Sequence, residues 1–244
     1  MPDDLVAAPD GNLWFTEFNG NKIGKISTSG TTIVEYPLPT PGSEPEGITL
    51  GSDGALWFTE AGTSKIGRIT TSGTITEYAV PTANADPTSI TSGSDGALWF
   101  TEYNTAKIGR ITTAGTVSEY SVAAGSKPTS ILTGADGAIW FLEQGTNKIG
   151  RMLTNGTGLS ETTLGVAVAS TPTIGAIVQG ADSNFYFTDI PGNKIGQYLS
   201  NGGGLSEYSI PTGASSPLAA AIGPDQRIYF SESAGNKIGQ FSYF

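Results

Sequence analysis

Six carboxylates recur at one point of a repeat: Glu17, Glu60, Glu102, Glu143, Asp189 and Glu232 each lie five residues before the lysine of a Lys-Ile-Gly triplet. Acids brought together on one axis could bind a cation or supply a general acid or base. The spacing also spans a tight hairpin, so each acid could instead pair with its lysine, and that structural reading is favoured. Exposed pairs of this kind contribute only about 0–1 kcal/mol. A second acidic set is not periodic. Asp3, Asp4, Glu44, Glu46 and Asp86 all fall in the segments leading into the first strand of the first three units. With no histidine and no cysteine, nucleophile–imidazole triads, thiol catalysis, disulfides and thiolate zinc sites are excluded. Any catalysis must rest on carboxylates, Tyr, Lys, Ser, Thr or an oxygen-bound metal.

The elements that position these groups follow from the repeat. Lys22, Lys65, Lys107, Lys148, Lys194 and Lys237 are spaced by 41 to 46 residues. Such a period, filled with strand-like stretches, indicates propeller blades. In the second unit Ile48 to Leu50 is a short innermost strand and Asp53-Gly54 a turn. Leu56 to Thr59 is a buried aromatic and β-branched strand, and Ile66 to Ile69 a third strand. Thr74 to Val80 alternates as an outer strand wetted on one side. The missing side chain of Gly67 implies close packing against a neighbouring blade. Trp14, Trp57, Trp99 and Trp140, continued by Tyr186 and Tyr229, resemble a sugar-stacking array but fit inter-blade core better, each being followed by a second aromatic. The expected fold is an all-β, six-bladed propeller of four-stranded antiparallel blades in one domain over 1–244, with blades near 1–40, 41–82, 83–124, 125–168, 169–213 and 214–244. The stretch 164–173 is expected as a surface excursion near the channel mouth.

The last unit stops at KIGQFSYF, so its third strand lacks a fourth, and no residues precede the first blade to supply one. Either the sixth blade is three-stranded, with Phe241, Tyr243 and Phe244 packed on blade five or one, or its edge pairs with a second copy. The monomer is the expectation, with an edge-paired homodimer as the alternative.

Propeller geometry places the residue before the small-apolar step of each innermost strand at the channel mouth. Counted back from the Asp turns, these residues are Asp3, Glu46, Thr88, Thr129, Gly175 and Leu218. They run from acidic through hydroxyl to apolar, as expected if one asymmetric small molecule lay across the channel. Asp3 and Glu46 are then acid–base or cation-binding candidates, Glu17, Glu60 and Glu232 weaker ones. Thr88 and Thr129 offer hydrogen bonds and Leu218 an apolar wall. Phe18, Tyr103 and Ile190 in the adjoining loops extend the site. The competing explanation is drift at solvent-facing loop positions. A net charge of −10 disfavours nucleic acid or an anionic membrane as partner. No window reaches the ~20 apolar residues of a membrane span, and MPDDLVAAPDG lacks the basic and apolar regions of a signal peptide, which leaves the compartment open.

The units GSDGALWFTE, NKIGRI and ITEY, with a proline before each first strand, resemble the virginiamycin B (streptogramin) lyase family over the whole chain. The resemblance implies a seven-bladed propeller that opens a cyclic depsipeptide by magnesium-dependent elimination, using a histidine in a Pro-His-Gly motif and the glutamate ending the next strand. Here the histidine position of the last blade is Leu218, while the glutamate position keeps Glu232. In blades one and two it carries Asp3 and Glu46, each with a partner carboxylate, Glu17 and Glu60. The family reaction is therefore not expected. A lyase, isomerase or cyclase acting on a natural-product-like molecule is the leading expectation, with Mg2+ as the only cofactor considered. A module binding glycan, peptide or protein without catalysis, or an engineered repeat scaffold, is the alternative.

Overall fold

The computed structural model describes residues 2–165, 174–202 and 204–243. They form six antiparallel sheets in chain order. Blade one comprises β1 (Pro2–Ala7), β2 (Asn12–Glu17), β3 (Lys22–Ser27) and β4 (Ile33–Pro37). Blade two comprises β5 (Pro45–Leu50), β6 (Leu56–Glu60), β7 (Lys65–Ile69) and β8 (Ile75–Ala79). Blade three runs β9 (Pro87–Ser92), β10 (Leu98–Glu102), β11 (Lys107–Ile111) and β12 (Val117–Ser121). Blade four runs β13 (Pro128–Thr133), β14 (Ile139–Glu143), β15 (Lys148–Met152) and β16 (Ser160–Thr163). Blade five runs β17 (Ile174–Gln179), β18 (Phe185–Asp189), β19 (Lys194–Tyr198) and β20 (Leu205–Ser209). Blade six has three strands, β21 (Pro217–Ile222), β22 (Ile228–Glu232) and β23 (Lys237–Phe241). The fold is thus a six-bladed, all-β propeller. No helix among the described residues is long and apolar enough to cross a membrane.

The blades are held together face to face. Trp57, Ile66 and Val80 of blade two form one apolar cluster with Ile90, Leu98, Phe100 and Ile111 of blade three. The same positions pack blade one on two and three on four. The tryptophans are therefore core, sealed by outer-strand tyrosines stacked 5.4–5.5 Å away in blades one to three. Each Asp of the first turn supports this core. Asp53 accepts from Trp57 Nε1 at 3.1 Å and from Arg68 Nε at 2.7 Å.

Gly67 serves its own blade, contrary to the sequence-based expectation. It lies opposite Phe58 across the β6–β7 ladder, and a Cβ there would enter the Phe58 ring. Gly109 stands in the same relation to Phe100. Gly109→Ala is expected to cost about 1–3 kcal/mol by forcing a sealed ring off its rotamer, read as a lowered urea midpoint at unchanged slope.

Blade six ends as the shorter reading expected. Phe241 and Tyr243 pack on blade five, where the Tyr243 ring lies 4.9 Å from Tyr186 and its hydroxyl accepts from Ala181 N at 2.8 Å. Phe244 and the excursion beyond Gly165 lie outside the described residues.

Candidate functional site

Each innermost strand slips its register near its start. Pro45 faces Glu60 and Ile48 faces Phe58, which leaves Glu46 and Gly47 in a bulge. Bulges turn a side chain out of the pleat, and the equivalent residue of every blade turns to the axis. A belt of hydroxyls fixes it there. Thr59 Oγ1 accepts from Gly47 N in its own blade (2.9 Å) and donates to the Thr88 carbonyl of the next (3.1 Å). Thr16 donates likewise to the Glu46 carbonyl (2.6 Å), Thr101 to that of Thr129 (2.8 Å) and Thr188 to that of Leu218 (3.1 Å). Thr16, Thr59, Thr101 and Thr188 are fully buried. Blade four breaks the belt with Leu142.

The six turned residues meet on one cavity of about 540 Å³, lined by Asp3, Glu46, Thr88, Thr129, Gly175 and Leu218 together with Tyr103 and Ile190. That volume is in the range of small-molecule pockets. Ser89, Ser130, Gln144 and the apolar Ile174, Ala176 and Ala219 complete the lining. Phe18, at the loop position that Tyr103 and Ile190 hold in blades three and five, is not among the residues that line it. One wall is acidic. Desolvation and then the charges of Asp3, Asp86 and Glu44 push the Glu46 carboxyl up to about 7. Burial, followed by Glu44, also raises Asp86, which lines the same wall. No Lys or Arg among the described residues forms an ion pair with these acids. The facing wall is apolar, and between the two the Thr129 hydroxyl is buried with no hydrogen-bond partner. Tyr103 is held in place by its hydroxyl, which donates to Gln144 Oε1 at 3.1 Å, and by the Lys127 ammonium, 5.1 Å from its ring centre.

The virginiamycin B lyase family profile matches residues 1–241. The chain belongs to this family. Selenomethionine virginiamycin B lyase from Staphylococcus aureus is 41% identical, with a TM-score of 0.91 over 98% of this chain and 80% of that one. A catalytically inactive histidine-to-alanine variant of the same enzyme, with quinupristin, is 40% identical with a TM-score of 0.92 over 100% and 80% of the two chains. A streptogramin B lyase structure is 36% identical, with a TM-score of 0.87 over 100% and 83%. Among curated proteins none matches this chain.

Leu218 and Glu232 stand at the two positions that the family resemblance implies for its chemistry. Leu218 stands on the cavity wall, 53% exposed, while Glu232 is only 6% exposed and sits opposite Pro217 across the ladder. Glu232 is not among the residues that line the cavity, so the two positions do not meet on its surface. Among the described residues no three carboxylates are close enough together to hold one metal ion.

The repeated carboxylates are neither a channel ring nor lysine partners. None of the six lines the cavity. In blades one to five the lysine instead pairs with the outer-strand glutamate of its blade: Lys65 with Glu77 at 2.7 Å, Lys107 with Glu119 at 2.9 Å, Lys148 with Glu161 at 3.2 Å. Lys22–Glu35 and Lys194–Glu207, both at 2.5 Å, follow the same rule. Two carboxylates compete for one ammonium, and the outer one, still wetted, keeps its charge at lower desolvation cost. Glu60, Glu102 and Glu143 are sealed at 0% exposure, and burial drives their carboxyl groups up to about 7. In each, one oxygen accepts from the threonine three residues on, and the other has no hydrogen-bond partner. Glu17 is half-buried at the matching place in blade one.

Sequence reasoning missed the threonine belt, Gln144 and the Lys–outer-Glu pairing. The belt had a visible signal in the Thr preceding four of the six strand-ending acids, with Ser231 in blade six and Leu142 in blade four. Gln144 had a positional one, since it follows its strand-ending acid as Tyr103 and Ile190 follow theirs, but its residue type is not shared between blades.

Proposed function

We propose that the cavity binds an asymmetric, partly apolar small molecule and transforms it by proton transfer, in a lyase, isomerase or cyclisation reaction with Glu46 as general base. The observation that carries this reading is Glu46 itself. A carboxylate with a pKa of about 7, half-buried on a cavity wall, is matched to abstracting a proton at neutral pH. Glu46 takes a proton from a carbon acidified by an adjacent carbonyl. The electron pair left behind either expels a leaving group on the next carbon, giving elimination, or is reprotonated elsewhere, giving isomerisation. The unpartnered Thr129 hydroxyl donates to the carbonyl oxygen where charge accumulates, and Ile190 and Leu218 hold the apolar end. In the Staphylococcus aureus enzyme a histidine-to-alanine variant is catalytically inactive; with no histidine, this chain would use a carboxylate as its base.

Native mass spectrometry after exposure to an extract of the source organism is expected to show one retained small molecule. In D2O the wild-type protein should wash deuterium into that molecule, and Glu46→Gln should retain it without exchange. A protein that stays bare across repeated extracts removes the ligand, and exchange that survives Glu46→Gln removes the base. Retention with no exchange by the wild type would instead mark a non-catalytic binding module.

A further inference from the structure

The geometry points to a second binding site, for the ring of a single sugar, in a cavity between blades four and five. The cavity lies at the Asp-turn end of the strands, opposite the channel mouth, and shares no lining residue with the mouth cavity. Its floor is Trp140 and Phe185, and its rim is Asp136, Gln179, Ser183 and Ser200. At about 280 Å³ it falls just below the range of about 300–1,000 Å³ that holds drug-sized ligands, which leaves room for one ring.

This junction is open because the bonds that close its neighbours are replaced. Blades two and three each close on the next blade through the serine before the turn Asp: Ser52 Oγ donates to the Gly96 carbonyl and Ser94 Oγ to that of Gly137, both at 2.7 Å. At the end of the inner strand Ser92 donates back to the Leu50 carbonyl, and Thr133 to that of Ser92 at 2.6 Å. Blade four has Ala135 where those serines stand, and blade five has Gln179 in the place of Thr133. Gln179 spans the gap instead, its Oε1 accepting from Ala135 N at 2.7 Å and its Nε2 donating to the Ser183 carbonyl at 2.9 Å. The tyrosine that stacks on the tryptophan in blades one to three is Thr162 in blade four, and Tyr198 of blade five meets Trp140 at a tilt of 57°. Exposure records the difference. Trp140 is 5% exposed against 0% for Trp14, Trp57 and Trp99, and the Asp136 side chain 39% against 19% for Asp53 and Asp95. Ser183 also holds a left-handed φ of 65° where blades one to four place glycine, which puts a hydroxyl on the rim at a strain that glycine avoids.

The lining selects the class of ligand. Two aromatic rings offer an apolar floor, while the Ser183 and Ser200 hydroxyls and the Gln179 amide offer donors beside the Asp136 acceptor. The Asp136 carboxylate repels an anion. Arg151, 2.8 Å from it, already balances that charge, so no cation is called for. A neutral ring with one C–H face and hydroxyls around its edge meets both the floor and the rim, and a pyranose is such a ring.

Saturation-transfer NMR with the methyl glycosides of glucose, galactose, mannose and N-acetylglucosamine tests the site. At least one should bind, with a dissociation constant on the order of 1–10 mM, as befits so small a ligand. Ala135→Ser combined with Gln179→Thr rebuilds the two closing bonds of the neighbouring junctions. It should weaken binding at least ~10-fold and leave the melting temperature unchanged or raised. Ser200→Ala, in an exposed turn where only the backbone N–H of Ser200 bonds to Asn184, should weaken binding several-fold with no change in stability. No transfer to any of the four glycosides overturns the proposal, as does binding that neither variant moves. Equal transfer to cyclohexanol overturns it too, since the cavity would then be an apolar crevice without selection for a sugar.

Discussion

Exchanging Asp3 for asparagine is expected to move the rising limb of the pH–rate profile to lower pH, while Glu46→Gln lowers turnover at least ~100-fold at every pH. Glu46 owes its pKa of about 7 first to desolvation and next to the charge of Asp3, ahead of Asp86 and Glu44. A base works when deprotonated, so kcat/KM of the wild type should rise through about pH 7 and level off above it. Removing Asp3 takes away the largest like-charge contribution and lets Glu46 ionise earlier. The plateau should fall modestly at the same time, because a more acidic carboxylate is a weaker base. A purely structural role for Asp3 would lower activity without moving the limb. An unmoved limb in Asp3→Asn would show that Glu46 is not the titrating base.

Much of this site was legible because the fold is periodic. Counting seven residues back from each Asp turn selects one residue per blade, and all six line the cavity. The alignment works because the bulge recurs at the same offset in every blade, so a linear count becomes a ring. Where the count failed, a third strand intervened. Glu60 and Lys65 are cross-strand partners in the β6–β7 ladder, which is why their spacing suggests an ion pair. A five-residue spacing does not reveal that Glu77, diagonal to Lys65 across β7–β8, is wetter and so holds the ammonium. Gly67 was misread for the same reason: its absent side chain makes room for Phe58, nine residues earlier, and that contact exists only once the hairpin register is known. The exposure of Ile238 was invisible too, since Ile238 and the buried Ile66 occupy identical Lys-Ile-Gly triplets.

The buried glutamates give the protein an unusual dependence of stability on pH, and replacing three of them should remove most of it, leaving the contribution of Glu46. In Glu60, Glu102 and Glu143 burial raises the folded-state pKa from 4.5 to about 7. Below pH 4.5 both the folded and unfolded chains hold these protons and the sites contribute no penalty. Between pH 4.5 and about 7 the unfolded chain releases protons that the folded chain keeps, so stability falls as pH rises through that window and then levels off. At about 1.4 kcal/mol per pH unit, each site costs on the order of 3 kcal/mol at pH 8. The opposite trend rules at lower pH. Arg68 and Trp57 hydrogen bonds hold Asp53 low and Lys65 and Thr40 hold Glu77 low, despite partial burial, so stability also falls as acid protonates them. The maximum should therefore lie near pH 4–5. The triple variant Glu60→Gln, Glu102→Gln, Glu143→Gln mimics the neutral acid and keeps an acceptor for Thr63, Thr105 and Thr146. Its urea midpoint should match the wild type near pH 5 and exceed it increasingly toward pH 8. The same gain at both pH values would mean that the glutamates are destabilising for reasons of packing. A loss at pH 8 would mean that they are ionised and paired in the folded chain, contrary to the Lys–outer-Glu arrangement that leaves them neutral.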